Sequence, residues 1–181
     1  HPPGCTAAPP PQSRRRARWQ SRLPLPVSEL NARVVAGTFD TGKDVQGFPT
    51  AKLEGQTIAI LGYGNIGREV AKLAAAFGIK VKVFAREKHH ARIAAGGFIP
   101  TSTAIEAARG ADVVSIHTGL GAVDPATGRT ANTGLINDEI LAALNKGSAL
   151  LNFDLGACVY AEALSQAMTT GQVVSATLDA D

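Results

Sequence analysis

The first clear pattern of apolar and polar positions lies between residues 57 and 77. A mostly apolar run, Thr57–Leu61, has the length of a buried strand. After a short turn, the apolar residues Ile66, Val70, Leu73 and Phe77 recur every three or four positions, which is the spacing of one helical face. The pattern therefore predicts a strand, a tight turn and an amphipathic helix in succession.

The alternation of short apolar runs and helical periods continues to the end of the chain. Strands are predicted at residues 57–61, 79–84, 97–100, 112–117, 148–152 and 173–178. Further helices are predicted at 89–95, at 103–109 with Ser102 as its cap, at 138–144 with Asn137 as its cap, and at 161–168. Strands that alternate with helices form right-handed βαβ units around a parallel sheet. We therefore predict an α/β fold, a doubly wound six-stranded sheet with the order 3-2-1-4-5-6.

Three glycines join the first strand to its helix. Gly62, Gly64 and Gly67 have the spacing G-x-G-x-x-G. In dinucleotide-binding folds the first glycine permits a tight turn, the second lets the backbone approach the phosphates, and the third lets the helix pack closely on the strand. The first helical turn also offers unpaired N–H groups and the positive end of the helix dipole to an anion. The segment therefore predicts a nucleotide site, with a merely tight turn as the alternative.

The first fifty residues have a different composition from the rest. They hold eight of the ten prolines, seven Lys/Arg and three Asp/Glu, whereas residues 51–181 hold eleven Lys/Arg and twelve Asp/Glu. The net charge of +3 therefore belongs to this tail. We predict that residues 1–50 are mostly disordered or loosely attached, apart from a short helix at 28–35 capped by Ser28. Contact of the arginine cluster with nucleic acid is the disfavoured alternative to a solvated linker.

Several classes of protein are disfavoured by the sequence. The apolar runs are shorter than the roughly 18 residues needed to cross a bilayer, so no membrane segment is predicted. The chain begins at His1 without the apolar segment of a signal peptide, which indicates a fragment or a missing natural start. Its two cysteines, Cys5 and Cys158, are not expected to pair, and we predict a reducing, cytoplasmic location. No metal site is predicted.

Residues 53–181 resemble the D-isomer-specific 2-hydroxyacid dehydrogenases, the family that includes 3-phosphoglycerate dehydrogenase. The resemblance rests on the segments 53–71, 112–118, 133–138, 141–152, 162–164 and 176–179, and it implies that residues 51–181 form an NAD(H)- or NADP(H)-binding domain. It further implies that the amides of Asn65 and Ile66 hold the pyrophosphate, and that Thr118 lies along the cofactor. By the resemblance, Asp179 would accept a hydrogen bond from the nicotinamide carboxamide, with a capping or solvated carboxylate as the alternative. His117 ends a buried strand at the carboxyl edge, where ligands lie, and we expect a positioned structural histidine there, with a proton donor as the alternative.

The end of the second strand departs from the pattern of NAD-preferring proteins. These place an Asp or Glu about 20 residues past the glycines, where it binds the ribose 2′-hydroxyl. The matching residue here is Ala85, followed by Arg86, with Lys88 nearby. The missing carboxylate and the added guanidinium favour NADP(H) over NAD(H). Glu87 is the counter-argument, because a small shift would let it reach the ribose.

A second departure concerns catalysis. In the family, an Arg after the fifth strand binds the substrate carboxylate, and a later Glu and His serve proton transfer. Here Leu155 stands in the position of that Arg, and Tyr160 stands where an Asp is common. A leucine cannot form charge-assisted hydrogen bonds to a carboxylate. The Glu and His are expected beyond residue 181, so no catalytic residue is assigned in this chain.

Two functions remain open from the sequence. The first is the cofactor domain of an oxidoreductase, which by resemblance transfers hydride between a nicotinamide and a 2-hydroxy or 2-oxo acid when the parent protein is complete. The second is a non-enzymatic module that senses NAD(P)H or binds a partner, which the loss of the Arg at Leu155 would fit. The resemblance also implies a homodimer formed through the cofactor domain.

Overall fold

The computed structural model describes residues 27–38, 53–119, 121–123, 125–126, 128 and 130–179. The chain divides into two compact units, and the boundary lies between residues 51 and 52. In the first unit, helix α1 spans Val27–Val35. Ser28 is the second residue of this helix and not the residue before its start, which corrects the predicted start. The predicted disorder of residues 1–26 and 39–50 lies outside the described residues.

The second unit contains the predicted parallel sheet. Its strands are β1 Thr57–Leu61, β2 Lys80–Phe84, β3 Ile99–Thr101, β4 Val113–Ile116, β5 Ser148–Asn152 and β6 Val173–Leu178. Its helices are α2 Asn65–Ala76, α3 His90–Ala95, α4 Ala104–Ala108, α5 Asp138–Ala143 and α6 Ala161–Thr169, with 3-10 turns at Glu87–His89 and Gly156–Cys158. The strand order is β3-β2-β1-β4-β5-β6, all parallel. The doubly wound fold and its order are confirmed.

Of the two helix caps predicted in the second unit, one is confirmed and the other is wrong. Asn137 caps α5 as predicted, accepting a hydrogen bond from the Ile140 amide at 3.1 Å. Helix α4 is capped by Thr103 and not by Ser102. The reason is the position of Glu106, whose amide donates to the Thr103 hydroxyl at 3.2 Å while its carboxylate accepts from the Thr103 amide at 3.2 Å. This reciprocal pair is a capping box and fixes the start of the helix.

Helix α2 does not pack through its large apolar residues. Ile66, Leu73 and the following Phe77 are 67%, 62% and 62% exposed, whereas the buried positions of the helix are Gly67, Ala71 and Ala74. Small residues face the sheet because the start of this helix lies against the backbone of the glycine turn. The helix was therefore predicted correctly, but of its predicted apolar stripe only Val70 packs against the core, and the other three residues are exposed.

The core consists of two apolar clusters on the two faces of the sheet. Successive residues of a strand point to opposite faces, so β1 contributes to both clusters. Ala59 and Leu61 belong to a cluster with residues of α4, α5 and α6, and Ile58 and Ile60 belong to one with residues of α2 and α3. Within the described residues, no helix combines the length and the apolar composition that a membrane span requires.

The amino edge of the sheet is joined by one aspartate. The carboxylate of Asp112, just before β4, accepts hydrogen bonds from the Thr57 amide and from the side-chain amide of Asn145, both at 2.9 Å. Its carbonyl oxygen accepts the Ala149 amide of β5 at 2.9 Å. Three neighbouring strands are thereby held in register at the end opposite to their carboxyl termini.

Candidate nucleotide-binding site

A cavity of about 670 Å³ opens at the carboxyl ends of β1, β2 and β4. Strand β1 is flanked by β2 on one side and β4 on the other, so the cavity lies where the order of the strands reverses, the usual ligand position in such sheets. The glycine turn, α2 and the segment after β2 contribute Gly62, Tyr63, Gly64, Asn65, Arg68, Phe84, Ala85, Arg86, His89 and Arg92. The end of β4 and the loop after it contribute His117, Thr118, Gly121, Ala122 and Asn132.

The three glycines of the turn have three different structural roles. Gly62 has φ = +107°, and a Cβ there would overlap the carbonyl oxygen of His117 and lie 2.6 Å from its carbonyl carbon. A Cβ at Gly67 would overlap the carbonyl oxygen of Gly62. A Cβ at Gly64 would meet no atom within 4 Å, yet this residue lines the cavity. Gly62 and Gly67 are therefore required by the fold, whereas Gly64 leaves space for a ligand.

Helix α2 begins at the cavity without a side-chain cap. Its N-cap residue is Gly64, which has no side chain to accept a hydrogen bond from the first turn. The guanidinium of Arg68 lies against the same turn, donating from Nε to the Gly64 carbonyl at 3.2 Å and from Nη2 to Asn65 Oδ1. An uncapped helix start combines free N–H groups with the positive end of the dipole, and Arg68 adds a full charge. This arrangement suits a phosphate group.

The end of the cavity near β2 is basic. Arg68, Arg86, His89 and Arg92 line it, and no Asp or Glu is found among the described residues that line the cavity. Glu87 is exposed, in the 3-10 turn after β2, and does not contribute to the lining. Partial burial and the neighbouring Arg92 and other cations hold the pKa of His89 below its usual value of 6.5.

Polar groups from the ends of β4 and β5 meet at the other part of the site. The imidazole Nε2 of His117 is hydrogen-bonded to the Ser115 hydroxyl at 2.8 Å. Burial lowers the pKa of His117, an effect that the nearby Asp154 carboxylate opposes. The same carboxylate accepts a hydrogen bond from the Gly119 amide, and the Gly119 carbonyl accepts one from the Asn132 side chain at 2.7 Å. Asp154 thus attaches the loop after β4 to the end of β5.

Thr118 provides an unsatisfied polar atom. Its hydroxyl is buried and has no hydrogen-bond partner among the described residues, although Thr118 lines the cavity. Burial raises the pKa of the neighbouring Cys158 thiol, and the polar Thr118 side chain close to it acts in the opposite direction. Buried polar groups are nearly always satisfied, so a bound polar ligand is a suitable partner for this hydroxyl. Together with the space at Gly64, it shows that the residues present fit a dinucleotide.

The described residues after β5 include no Arg or Lys. Leu155 is partly buried and packs against the apolar cluster next to α6, and its carbonyl accepts the side-chain amide of Asn152 at 3.1 Å. Tyr160 is exposed and its amide donates to Ile136. Asp179 is exposed, and its amide extends the β6 ladder by donating to the Asn152 carbonyl at 2.8 Å. Among the described residues, no group of three or more His, Cys, Asp or Glu is placed to hold a metal.

The structure brings most of the predicted site residues together. Gly62, Gly64, Asn65, Arg86, His117 and Thr118 line the cavity, whereas Ile66, Gly67 and Asp179 do not. Sequence reasoning missed Arg68, His89 and Arg92, and also Asp154. The run of basic residues and histidines at positions 86–92 was a signal for two of them. Asp154 had no such signal, because its contact with Gly119 depends on the neighbouring position of β4 and β5.

Comparisons with known proteins identify the family. The family model described as D-isomer specific 2-hydroxyacid dehydrogenase, NAD binding domain, matches residues 25–180. The chain is 36% identical over 129 residues to D-3-phosphoglycerate dehydrogenase of Bacillus subtilis (strain 168), covering 71% of this chain and 23% of that protein. It is 31% identical over 128 residues to hydroxypyruvate reductase of Thermotoga maritima, covering 71% and 38%.

A solved structure agrees with these matches. The TT0316 protein from Thermus thermophilus superposes with a TM-score of 0.66 at 31% identity, covering 93% of this chain and 48% of that one. The chain therefore spans less than half the length of each of these three relatives. The chain belongs to the D-isomer specific 2-hydroxyacid dehydrogenase family and carries its NAD-binding domain.

Proposed function

We propose that this domain holds the nicotinamide cofactor of an oxidoreductase that acts on 2-hydroxy or 2-oxo acids, and that it prefers NADP(H) to NAD(H). The observation that carries the proposal is the uncapped start of α2 at a cavity where Gly64 leaves open space. When bound, the cofactor supplies the hydride chemistry. The chain's own residues bind and orient it, with the α2 amides at the pyrophosphate and the unsatisfied Thr118 hydroxyl at a polar group.

The NADP(H) preference is supported by the charges at the end of β2. Ala85 leaves no carboxylate for the ribose 2′-hydroxyl, and Arg86 lines the cavity beside it. Because a hydrogen bond to a charged group contributes about 1.5–3 kcal/mol, NADPH is expected to bind at least about tenfold more tightly than NADH. Calorimetric titration of the purified chain with both nucleotides measures this ratio.

A single variant at the end of β2 provides a further test of the cofactor preference. Ala85→Asp restores the carboxylate that a ribose diol prefers and places a negative charge beside the 2′-phosphate. The variant is therefore expected to bind NADH more tightly and NADPH more weakly than the original chain. Equal or tighter binding of NADH by the original chain would contradict the preference, and failure of both nucleotides to bind would contradict the proposed function.

We also propose that this chain binds the cofactor without performing turnover. Leu155 offers no charge to a substrate carboxylate, and the adjacent Asp154 is a carboxylate itself, so an anionic substrate is repelled where the family attracts it. Incubation with NADPH and glyoxylate, hydroxypyruvate or phosphohydroxypyruvate is expected to leave the absorbance of NADPH unchanged. Substrate-dependent oxidation of NADPH would contradict this expectation.

Leu155 and Asp154 also support a second candidate function, a non-enzymatic module that senses NAD(P)H or binds a partner. In a full-length version, Leu155→Arg combined with Asp154→Ala separates the two candidates. Regained turnover would identify a damaged enzyme, and continued inactivity with intact NADPH binding would favour the sensing module.

A homodimer is also proposed for this domain, since the stripe of Ile66, Leu73 and Phe77 offers apolar surface on one side of α2.

A further inference from the structure

A third arginine, Arg92 of helix α3, reaches the basic end of the cavity that Arg68 and Arg86 also line. The guanidinium carbon of Arg92 lies 5.6 Å from the ring centroid of Tyr63, the residue between the first two glycines of the turn. Tyr63 is itself buried and packs edge-to-face on Phe98, with 6.4 Å between the ring centroids. A cation held over a fixed aromatic ring loses less conformational freedom when it binds an anion. Arg92 is therefore preorganised at the edge of the cavity.

His89 lies beside this arginine. Its Nδ1 atom is 3.4 Å from Nη2 of Arg92, and both residues line the cavity together with Arg86. The cations that face His89 are Arg92, Lys88, Arg86 and Arg68, in that order of effect on its titration. No carboxylate among the described lining residues neutralises this group. So many cations without an acidic partner repel one another, and a bound dianion relieves that repulsion.

We propose that Arg92 and His89 form one arm of a phosphate clamp, with Arg86 as the other, and that this clamp grips the 2′-phosphate of NADP(H). The proposal rests on the proposed function, because it names residues that select between two cofactors of the same site. Arg86 alone follows from the sequence position after β2. Arg92 and His89 follow from the structure, which places the start of α3 beside the ring of Tyr63.

The clamp has a consequence for the pH dependence of binding. In the free protein the pKa of His89 lies below 6.5, so its imidazole is largely neutral at pH 7. A bound phosphate dianion favours the imidazolium and raises that pKa. Binding therefore takes up a proton. The affinity for NADPH should rise as the pH falls from the pKa of His89 in the complex to its lower pKa in the free protein. NADH lacks the 2′-phosphate and should show a smaller rise.

The test compares NADPH and NADH binding in three variants by calorimetry. Arg92→Gln is expected to weaken NADPH binding about tenfold or more and to change NADH binding less than about twofold, which also shows that the variant is folded. His89→Gln should remove the imidazole's share of the pH dependence near neutral pH, while the titration of the phosphate itself, near pH 6, remains. Arg109→Gln removes an exposed charge outside the cavity lining and should leave both affinities unchanged.

The outcomes separate the clamp from the proposed function. Equal weakening of NADPH and NADH by Arg92→Gln would overturn the clamp and assign Arg92 to the pyrophosphate. No effect of Arg92→Gln on NADPH, or an identical pH dependence in His89→Gln, would also overturn it. If the original chain binds neither nucleotide, the proposed function fails first. Adenosine 2′,5′-bisphosphate provides a second probe, and it should bind more tightly than 5′-AMP only when Arg92 is present.

Discussion

Gly62→Ala is expected to lower the free energy of unfolding by about 2–5 kcal/mol, the sum of a positive-φ penalty and a steric overlap. The overlap is severe because the new Cβ would meet the backbone carbonyl of His117, which β4 holds in place. Gly67→Ala is expected to cost about 1–3 kcal/mol by overlap with the Gly62 carbonyl alone. Urea denaturation of each variant measures both losses.

Gly64→Ala is the matched control for these two variants. Its Cβ would meet no protein atom within 4 Å, so the free energy of unfolding should change by less than about 1 kcal/mol. The same methyl group would occupy the space at the cavity, and the affinity for NADPH should fall by at least about tenfold. A stable Gly62→Ala variant, or a Gly64→Ala variant with unchanged affinity, would contradict the roles assigned to the turn.

Ile60→Ala is expected to destabilise the protein by about 2–5 kcal/mol, the range for truncating a buried aliphatic side chain. Ile60 lies on the central strand with 0% of its surface exposed. Ile66→Ala, the same chemical change at a helical position that is 67% exposed, should alter stability by less than about 0.5 kcal/mol. Thermal and urea unfolding at a concentration where the protein is monomeric measure the difference.

The Ile66 variant also bears on the proposed homodimer. If the apolar stripe of α2 forms the subunit contact, Ile66→Ala should weaken dimerisation in sedimentation experiments while the monomer stays stable. A monomer destabilised as strongly by Ile66→Ala as by Ile60→Ala would show instead that the helix packs through its large residues. That result would contradict the burial of Gly67 and Ala71 described above.

The strands and their order were predictable from the sequence, because fully buried parallel strands are short continuous apolar runs between turns. The strands at 57–61, 148–152 and 173–178 were predicted with their correct bounds. The cap of α4 was misassigned because Ser102 and Thr103 are both good caps, and only the distance to Glu106 decides between them. The alternation of elements was sufficient for the topology, since βαβ units have one handedness.

The packed side of α2 and the full basic site were not predictable from the sequence. The apolar residues of α2 do recur at helical spacing. The side of the helix that packs on the sheet is instead decided by the approach of Gly67 to the Gly62 carbonyl, and the spacing of apolar residues does not show this. The contribution of Arg92 depends on where the helix after β2 begins relative to the ring of Tyr63. The contact of Arg92 with Tyr63 joins residues that are far apart in the chain, and it forms only when β1 and β2 are side by side in the sheet.

The hydrogen bonds of Asp112 connect three strands at the amino edge of the sheet, and the candidate nucleotide site lies at the carboxyl edge. This carboxylate and the carbonyl of the same residue hold β1, β4 and β5 together at their amino termini, and these bonds involve no residue of the loops at the opposite rim. Side chains at that rim can therefore differ wherever they do not support the glycine turn or the Asp154–Gly119 contact. Leu155 can follow β5, and the cations Arg86, His89 and Arg92 can follow β2, without removing the hydrogen bonds of Asp112.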